Sequence, residues 1–394
     1  MTGRKSVTIL LTAGEASGDK LGADLIQALR RRRPELDFRF IGVGGQAMAA
    51  NGMVSLFDMS ELSVLGIFEG VRALPRITRR TRDIAELAQR ERPDIAVLID
   101  SWGFSLRVAH RLRRLSPPVP IVKYVGPQVW ASRPGRARVL AGAVDHLLST
   151  QSMDAPFYQG LGLPVTFVGN PALTLDVSGA DGGRGRRALG IAPEKPMLLV
   201  LPGSRRSEIA RLSATFGDAA ARLSQALPGL AIVIPLANTV AEQVRAATAD
   251  WPVRPQLVED EALKLDCMAG CTAALAASGT VSTELALCHA PMVIGYKVSG
   301  ASYEVIKRLM RTRYITLLNI AADREVAPER IQSTCNGETL ASLLMPLFTD
   351  AGRRRAQILA QDEALVKMGL GTGDPSERAA EAVLNELELR GAIS

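Results

Sequence analysis

Four segments of this sequence gather side chains able to do chemistry beside glycines, each directly after a short apolar run. The run Ile95–Ile99 ends in Asp100, followed by Ser101-Trp102-Gly103-Phe104. A carboxylate at the carboxyl tip of a central apolar strand lies at the mouth of a binding crevice, where partial desolvation makes it a better general base. The same Asp would serve equally as the cap of the next helix. The segment Leu201-Pro202-Gly203-Ser204-Arg205-Arg206-Ser207-Glu208 offers backbone donors, a hydroxyl and two guanidiniums before its first carboxylate. That set, with Gly203, Ser204 and Arg205 at its centre, suits a pyrophosphate, because arginine forks match its oxygens and a helix dipole adds to them. Ser278-Gly279-Thr280 opens a second helix with Glu284 one turn further along. Its first residues can donate to a phosphate while Glu284 accepts from two ribose hydroxyls on the same face. The fourth segment, Gly14-Glu15-Ala16-Ser17-Gly18-Asp19, already carries Glu15 and Asp19 where a helix N-terminus would draw an anion, so it repels phosphate. It suits a hydroxyl-bearing ligand, or else Ser17 simply caps the helix and the glycines make the turn.

These residues need rigid elements to hold them. Runs rich in Val, Ile and Leu recur between longer helical segments: Val7–Ala13, Phe38–Val43, Ile95–Ile99, Ile121–Val125 and His146–Ser149. Such alternation predicts parallel strands covered by helices on both faces. Gly179 to Gly185 shows neither periodicity nor apolar content and reads as a flexible linker. The pattern then restarts with Met197–Leu201, Ala231–Pro235, Gln256–Val258, Ala273–Ala277 and Met292–Gly295. Beyond Asn336 the chain reads as helical, with an Asp374-Pro375 start in which Asp caps and Pro takes the first helical position. The expected fold class is α/β, two doubly wound lobes and a helical tail: residues 1–175, 188–345 and 346–394. In open parallel sheets ligands sit beyond the carboxyl ends of the strands, so the lobes are expected to face a cleft.

Composition narrows the function. The 394 residues are 47% apolar, enough for a large core, and no uncharged apolar stretch is long enough to span a bilayer. Lys and Arg number 47 against 40 Asp and Glu, and this excess of +7 favours an anionic partner. Aromatics at 4% are too sparse for base-stacking platforms, which ranks nucleic acid last. The cysteines Cys267, Cys271, Cys288 and Cys335 lack the second pair or histidine cluster of a zinc site, and read as buried thiols of a reducing, cytoplasmic compartment. No Asp-x-Asp motif stands ready to hold a metal on a sugar nucleotide. The three histidines sit apart and read as packing or surface residues. Between Leu62 and Arg82 an apolar surface (Val64, Leu65, Ile67, Phe68, Val71, Leu74) meets a fringe of Arg72, Arg76, Arg79, Arg80 and Arg82. Such a segment either dips into a membrane interface or packs on a core. The aromatic and basic loop Tyr124 to Arg133 either lines an acceptor pocket or orders a turn.

Taken in order, Ala13–Asp19, Pro202–Arg205, Ser278–Thr280 with Glu284, Pro291–Tyr296 and Asn319 resemble the lipid-A-disaccharide synthase family, over nearly the whole chain. The resemblance implies a GT-B glycosyltransferase of two Rossmann-like lobes, inverting and metal-independent with no cofactor, at the cytoplasmic face of a Gram-negative inner membrane. It implies transfer from UDP-2,3-diacylglucosamine to 2,3-diacylglucosamine 1-phosphate in a β-1,6 linkage with release of UDP. Carried over by motif, Asp100 matches the base, Glu15 an essential acceptor-side residue and Asn319 a further active-site residue. Arg205 matches the diphosphate contact and Glu284 a nucleotide contact, with Gly203, Ser204, Ser278, Gly279, Thr280 and Tyr296 completing the donor side. The 62–82 segment would meet the membrane, holding acyl chains and the acceptor's phosphate, and family members can dimerise by exchanging C-terminal helices. The sequence departs from the family at Trp102, Ser105, Ser132, Asn170 and Leu318, which crowds the acceptor side. A sugar-nucleotide epimerase, a transferase with another acceptor, and a non-catalytic nucleotide sensor at the membrane would share the Arg205 and Glu284 elements.

Overall fold

The computed structural model describes residues 5–62 and 67–394, without the side chains at 67–73, 238, 301, 302, 305 and 306. Val64 and Leu65 therefore lie outside the described residues, as do the side chains of Ile67, Phe68, Val71 and Arg72. The chain forms two compact units, Met1–Asn170 with Thr372–Ser394, and Pro171–Gly371.

In the first unit, seven strands make one parallel sheet: β1 (Ser6–Thr12), β2 (Asp37–Val43), β3 (Val54–Ser55), β4 (Ile95–Ile99), β5 (Ile121–Tyr124), β6 (His146–Ser149) and β7 (Val165–Phe167). Their order is β3-β2-β1-β4-β5-β6-β7. Strand β4 is buried at all five positions, as a run of Ile, Ala, Val and Leu covered on both faces requires. Burial of each large aliphatic side chain contributes about 1.5–3 kcal/mol. Pairing runs Thr12↔Leu98 between β1 and β4, and Ile99↔Tyr124 between β4 and β5. The chain turns one way from β1 and the other from β4, so the loops after these two strands flank the point where the sheet reverses direction.

The second unit repeats the plan with β8 (Met197–Leu201), β9 (Ala231–Pro235), β10 (Gln256–Val258), β11 (Ala273–Ala277), β12 (Met292–Tyr296) and β13 (Glu329–Ile331), ordered β10-β9-β8-β11-β12-β13. Here β8 and β11 flank the reversal. Both are buried throughout.

The terminal helices divide between the units. Ala351–Lys367 sends Ala360, Ala364 and Leu365 into the core of the second. Pro375–Leu389 returns to the first, where Ala379, Val383 and Leu387 join a core with Leu25, Ile26 and Leu29 of helix Ala16–Arg32. Asp374 caps it, accepting from the Ser376 amide at 2.7 Å. Arg32 reaches Glu377 at 2.9 Å, and His146 on β6 bonds Glu386 at 2.8 Å.

The flexible-linker reading of residues 179–185 is overturned. Gly182–Ala188 is a helix capped by Asp181, whose carboxylate accepts from the Arg184 amide at 3.0 Å. Its glycines are there for contact: a Cβ on Gly182 would stand 2.6 Å from the Gly270 Cα, and one on Gly185 2.8 Å from the Asp266 carbonyl carbon. Asp266 is buried and accepts from the Asp181 amide and the Arg184 guanidinium, which holds its carboxyl below the usual range. All four cysteines are free, and burial pushes the Cys267 and Cys288 thiols up to about 11. Among the described residues no helix is long and apolar enough to cross a membrane.

Candidate functional site

Each unit carries a cavity at the carboxyl end of its sheet. That of the second unit, about 280 Å³, is lined by the loops after β8, β9 and β11. It brings Gly203, Ser204, Arg205, Ser278, Gly279, Thr280 and Glu284 together, and adds Glu208, Asp260, Glu261 and Lys264.

The two loops expected to hold phosphate differ in the structure. After β8 the Glu208 carboxylate folds back onto the start of its own helix, accepting from the Ser204 amide at 3.0 Å, the Arg205 amide at 3.3 Å and the Arg205 guanidinium at 3.1 Å. Two of the backbone donors read as open, the Ser204 and Arg205 amides, are therefore satisfied internally. Gly203 makes this possible: its φ is +120°, and a Cβ there would lie 2.5 Å from a Glu208 oxygen. The Arg205 side chain itself is 76% exposed. After β11, by contrast, Gly279 takes φ +150° and no side chain caps helix Thr280–Leu287. The amides of Thr280 and Val281 lie at its positive dipole end, toward whatever fills the cavity, while the Ser282 amide turns back to the Gly279 carbonyl at 3.2 Å. Glu284 is not a lone acceptor, since Lys264 donates to it at 2.6 Å. Lys264 lies on a separate helix, Leu263–Gly270, and its motif-free surroundings gave no signal in the sequence.

Two expected site residues stand apart from this cavity. Tyr296 ends β12 and does not line it; burial pushes its phenol up. Asn319 is fully buried and its amide is spent: Oδ1 accepts from the Val326 and Ala327 amides at 2.7 and 2.9 Å, while Nδ2 donates to the Ala327 carbonyl and to Glu329 at 2.7 and 2.8 Å. A side chain with every hydrogen-bonding position filled has nothing left for a substrate, so Asn319 orders the segment that leads into β13.

In the first unit a cavity of about 320 Å³ opens at the tips of β4 and β5, lined by Asp100, Trp102, Lys123, Gln128, Ser132 and Arg136 among others. Asp100 and Ser101 both adopt left-handed backbone, φ +44° and +43°. Such conformations cost about 1–3 kcal/mol each and persist only where neighbours enforce them. The enforcer is Lys123. Fully buried, its ammonium donates to the carbonyls of Asp100 at 2.5 Å, Leu98 at 3.1 Å and Tyr124 at 3.3 Å. Burial drives its pKa down to about 7, against the pull of Asp100. The Ser105 hydroxyl adds a 2.6 Å bond to the Asp100 carbonyl.

Glu15 is exposed at the N-cap of helix Ala16–Arg32, one residue beyond Gly14. A Cβ on Gly14 would meet the Ser101 Oγ at 2.4 Å, so glycine lets the Glu15 turn pack directly on the Asp100 turn. Asp19, read as a second acidic group of this site, is instead buried and structural. Its carboxylate accepts from the amides of Gly45, Ala47 and Met48 at 2.7, 2.8 and 3.1 Å, capping helix Gln46–Ala50. In the aromatic loop Val129 and Trp130 are buried, whereas Gln128 and Ser132 reach the cavity.

Comparison with known proteins bears on the whole chain. A family model described as Lipid-A-disaccharide synthetase matches residues 9–383. A Rhodospirillum centenum protein named Lipid-A-disaccharide synthase is 42% identical over 386 residues, covering 98% of this chain and 96% of that one. A protein of the same name from Paramagnetospirillum magneticum is 42% identical over 379 residues, covering 96% and 97%. Among solved structures, the S. aureus MnaA–UDP co-structure superposes with a TM-score of 0.58 at 16% identity, over 99% of this chain and 98% of that one. Acinetobacter baumannii MurG gives 0.56 at 14% identity, over 97% and 99%. Likenesses at that identity show the fold alone, which is the two-sheet GT-B type.

Proposed function

We propose how this chain, which belongs to the lipid-A-disaccharide synthase family, divides one glycosyl transfer between its two units. The donor is UDP-2,3-diacylglucosamine and the acceptor 2,3-diacylglucosamine 1-phosphate, and the product is the β-1,6-linked disaccharide 1-phosphate with UDP released. The observation that carries the assignment of parts is a difference between the two cavities at single positions: the first unit's has a carboxylate at a strained strand tip, and the second unit's has a helix start with no side-chain cap beside an exposed arginine.

In the second unit the diphosphate rests on the amides that begin helix Thr280–Leu287, with Ser278, Gly279 and Thr280 around it and Arg205 reaching in from the facing loop. Ser204 and Gly203 shape that loop, and the Glu284–Lys264 pair receives the ribose. In the first unit the acceptor's 6-hydroxyl lies against Asp100, with Glu15 beside it. As the hydroxyl oxygen bonds to the anomeric carbon from the face opposite UDP, its proton passes to the Asp100 carboxylate. The bond from that carbon to the diphosphate oxygen breaks, and its electron pair leaves with UDP. Preorganised donors facing the developing charge typically account for about 10²–10³ in kcat apiece.

The 62–82 segment brings the protein to an anionic membrane surface on the cytoplasmic side, and the chain works as a homodimer if its terminal helices exchange. Of that segment's arginines, Arg80 is occupied, bonding Glu61 at 2.9 Å and lying over the Phe57 ring, which leaves Arg76, Arg79 and Arg82 for headgroups.

The test uses Asp100→Asn. With the acylated donor and acceptor in detergent, the wild-type protein yields disaccharide 1-phosphate by mass, and the variant's turnover falls at least 10³-fold, on the order of a lost general base together with its electrostatic effect. UDP affinity, read by calorimetry, stays within about twofold, since the donor cavity is on the other unit. Retained turnover would remove Asp100 from the role of base.

A further inference from the structure

The cavity that holds Asp100 contains a cation that the transfer chemistry leaves unused. Arg136 begins helix Arg136–Ala141 and lines the cavity with Asp100, Lys123, Gln128 and Ser132. Its guanidinium lies over the indole of Trp102, 5.2 Å from the ring centroid. Stacking of this kind fixes the plane of the fork and leaves its N–H edge free to bind.

Among the described residues no carboxylate pairs with Arg136. Three other half-buried arginines of the same unit have carboxylate partners, Arg33 with Glu388, Arg80 with Glu61 and Arg113 with Asp145, while Arg111 and Arg378 donate to a hydroxyl and a carbonyl. Arg136 has the opposite surroundings. Burial and the neighbouring Arg133 both lower its hold on its proton. A desolvated, unpaired guanidinium beside like charge is costly unless a ligand brings the missing anion. The single carboxylate in the cavity, Asp100, cannot be that partner and remain free to take a proton.

We propose that Arg136, held in plane by Trp102, anchors the phosphate monoester of the acceptor, and that this anchorage turns the sugar ring so that its 6-hydroxyl meets Asp100. The inference rests on the transferase reading above. A monoester carries nearly two negative charges at neutral pH and three oxygens that a guanidinium fork can match. The 1-phosphate and the 6-hydroxymethyl group are borne by the two carbons that flank the ring oxygen, so a site that grips the first while presenting the second needs its cation and its base on one cavity wall, as Arg136 and Asp100 are. Gln128 and Ser132 can supply the remaining donors. Trp102, a departure from the family pattern, thereby gains a purpose.

The experiment compares two acceptors, diacylglucosamine with and without its 1-phosphate, for wild type, Arg136→Met and Arg136→Lys. Wild type is expected to prefer the phosphorylated acceptor in kcat/KM. Arg136→Met is expected to lose about 10- to 100-fold of that preference, the scale of charge-assisted hydrogen bonds, while the KM for donor is held; Arg136→Lys falls between. Soluble glucosamine 1-phosphate is expected to compete with acceptor and not with donor in wild type, a readout that needs no variant to fold. An undiminished preference in Arg136→Met, or inhibition by glucosamine 1-phosphate that does not compete with acceptor, overturns the anchor. Absence of disaccharide from wild type with either acceptor overturns the transferase reading itself, so the two failures are told apart.

Discussion

At the scale of single residues, a carboxylate's place in the sequence says little until its partners are known. Asp19 and Asp100 both lie in the turn or helix start after a short apolar run, yet Asp19 spends its oxygens on three backbone amides while Asp100 shares a cavity wall with a buried lysine. Asn319 and Glu208 are satisfied by groups near in sequence, an arrangement that spacing alone does not reveal. Lys123 was legible in principle, as the one charge inside the apolar run Ile121–Val125. Its burial makes a sharp prediction. With a pKa of about 7 when folded and the ordinary 10.5 when unfolded, the lysine keeps its proton in the unfolded chain alone between those values. Stability therefore rises with pH across that window and is lost as pH falls through 7, by at most about 1.4 kcal/mol per pH unit. Lys123→Met is expected to lower this slope relative to wild type between pH 7 and about 8.5; unfolded cysteines, with an ordinary pKa near 8.5, begin to titrate inside that window but do so alike in both proteins. Urea denaturation at both ends of the window measures it. The variant should also lose kcat while keeping its donor KM, because the Asp100 and Ser101 backbone loses what holds it left-handed. A slope equal to that of wild type would show that Lys123 does not titrate there.

At the scale of elements, the long apolar strands were readable and, Gln256–Val258 apart, the short edge strands were not. Runs such as Ile95–Ile99 and Met197–Leu201 announce themselves because both faces are covered. Strands β3, β7 and β13 have two or three residues, lie at sheet edges and are partly exposed, so no pattern marks them. The helix Gly182–Ala188 was missed for the reverse reason: close packing against Leu263–Gly270 selects glycine, the residue that also marks flexible chain. The two meanings are separable by mutation. Gly185→Ala forces a methyl against the Asp266 backbone at 2.8 Å. Its overpacking cost of about 1–3 kcal/mol exceeds the gain of up to about 1 kcal/mol from better helix propensity. Gly183→Ala meets flexible side-chain atoms at 3.1 Å, so the propensity gain survives. Thermal denaturation is expected to lower the Tm of the first variant by several degrees and to leave the second unchanged or raised. Equal behaviour of the two would restore the linker reading.

At the scale of the whole molecule, the excess of basic residues acquires a location. The +7 balance cannot choose between substrate phosphates and a lipid surface, but the structure separates the two populations. Arg205 and Arg136 line cavities. Arg76, Arg79 and Arg82 are exposed on helix Ile67–Glu91 and form no ion pair among the described residues, whereas Arg80 in their midst is neutralised by Glu61 and Asp83. Residues at 76, 79 and 82 fall at three-residue intervals, so they share one broad helical face. Each arginine near an anionic bilayer surface contributes about 1 kcal/mol, and three together on the order of 100-fold in binding. Sedimentation with vesicles of phosphatidylethanolamine and phosphatidylglycerol is therefore expected to recover the wild-type protein at low salt and release most of it as ionic strength rises and the Debye length shrinks. The triple change Arg76→Ser, Arg79→Ser, Arg82→Ser should abolish that salt-sensitive component while leaving turnover of a short-chain acceptor in detergent intact, because none of the three lines either cavity. Vesicle binding as tight as wild type in the triple variant would assign the membrane contact to another surface, and the basic helix would then be a solvated face of the first unit.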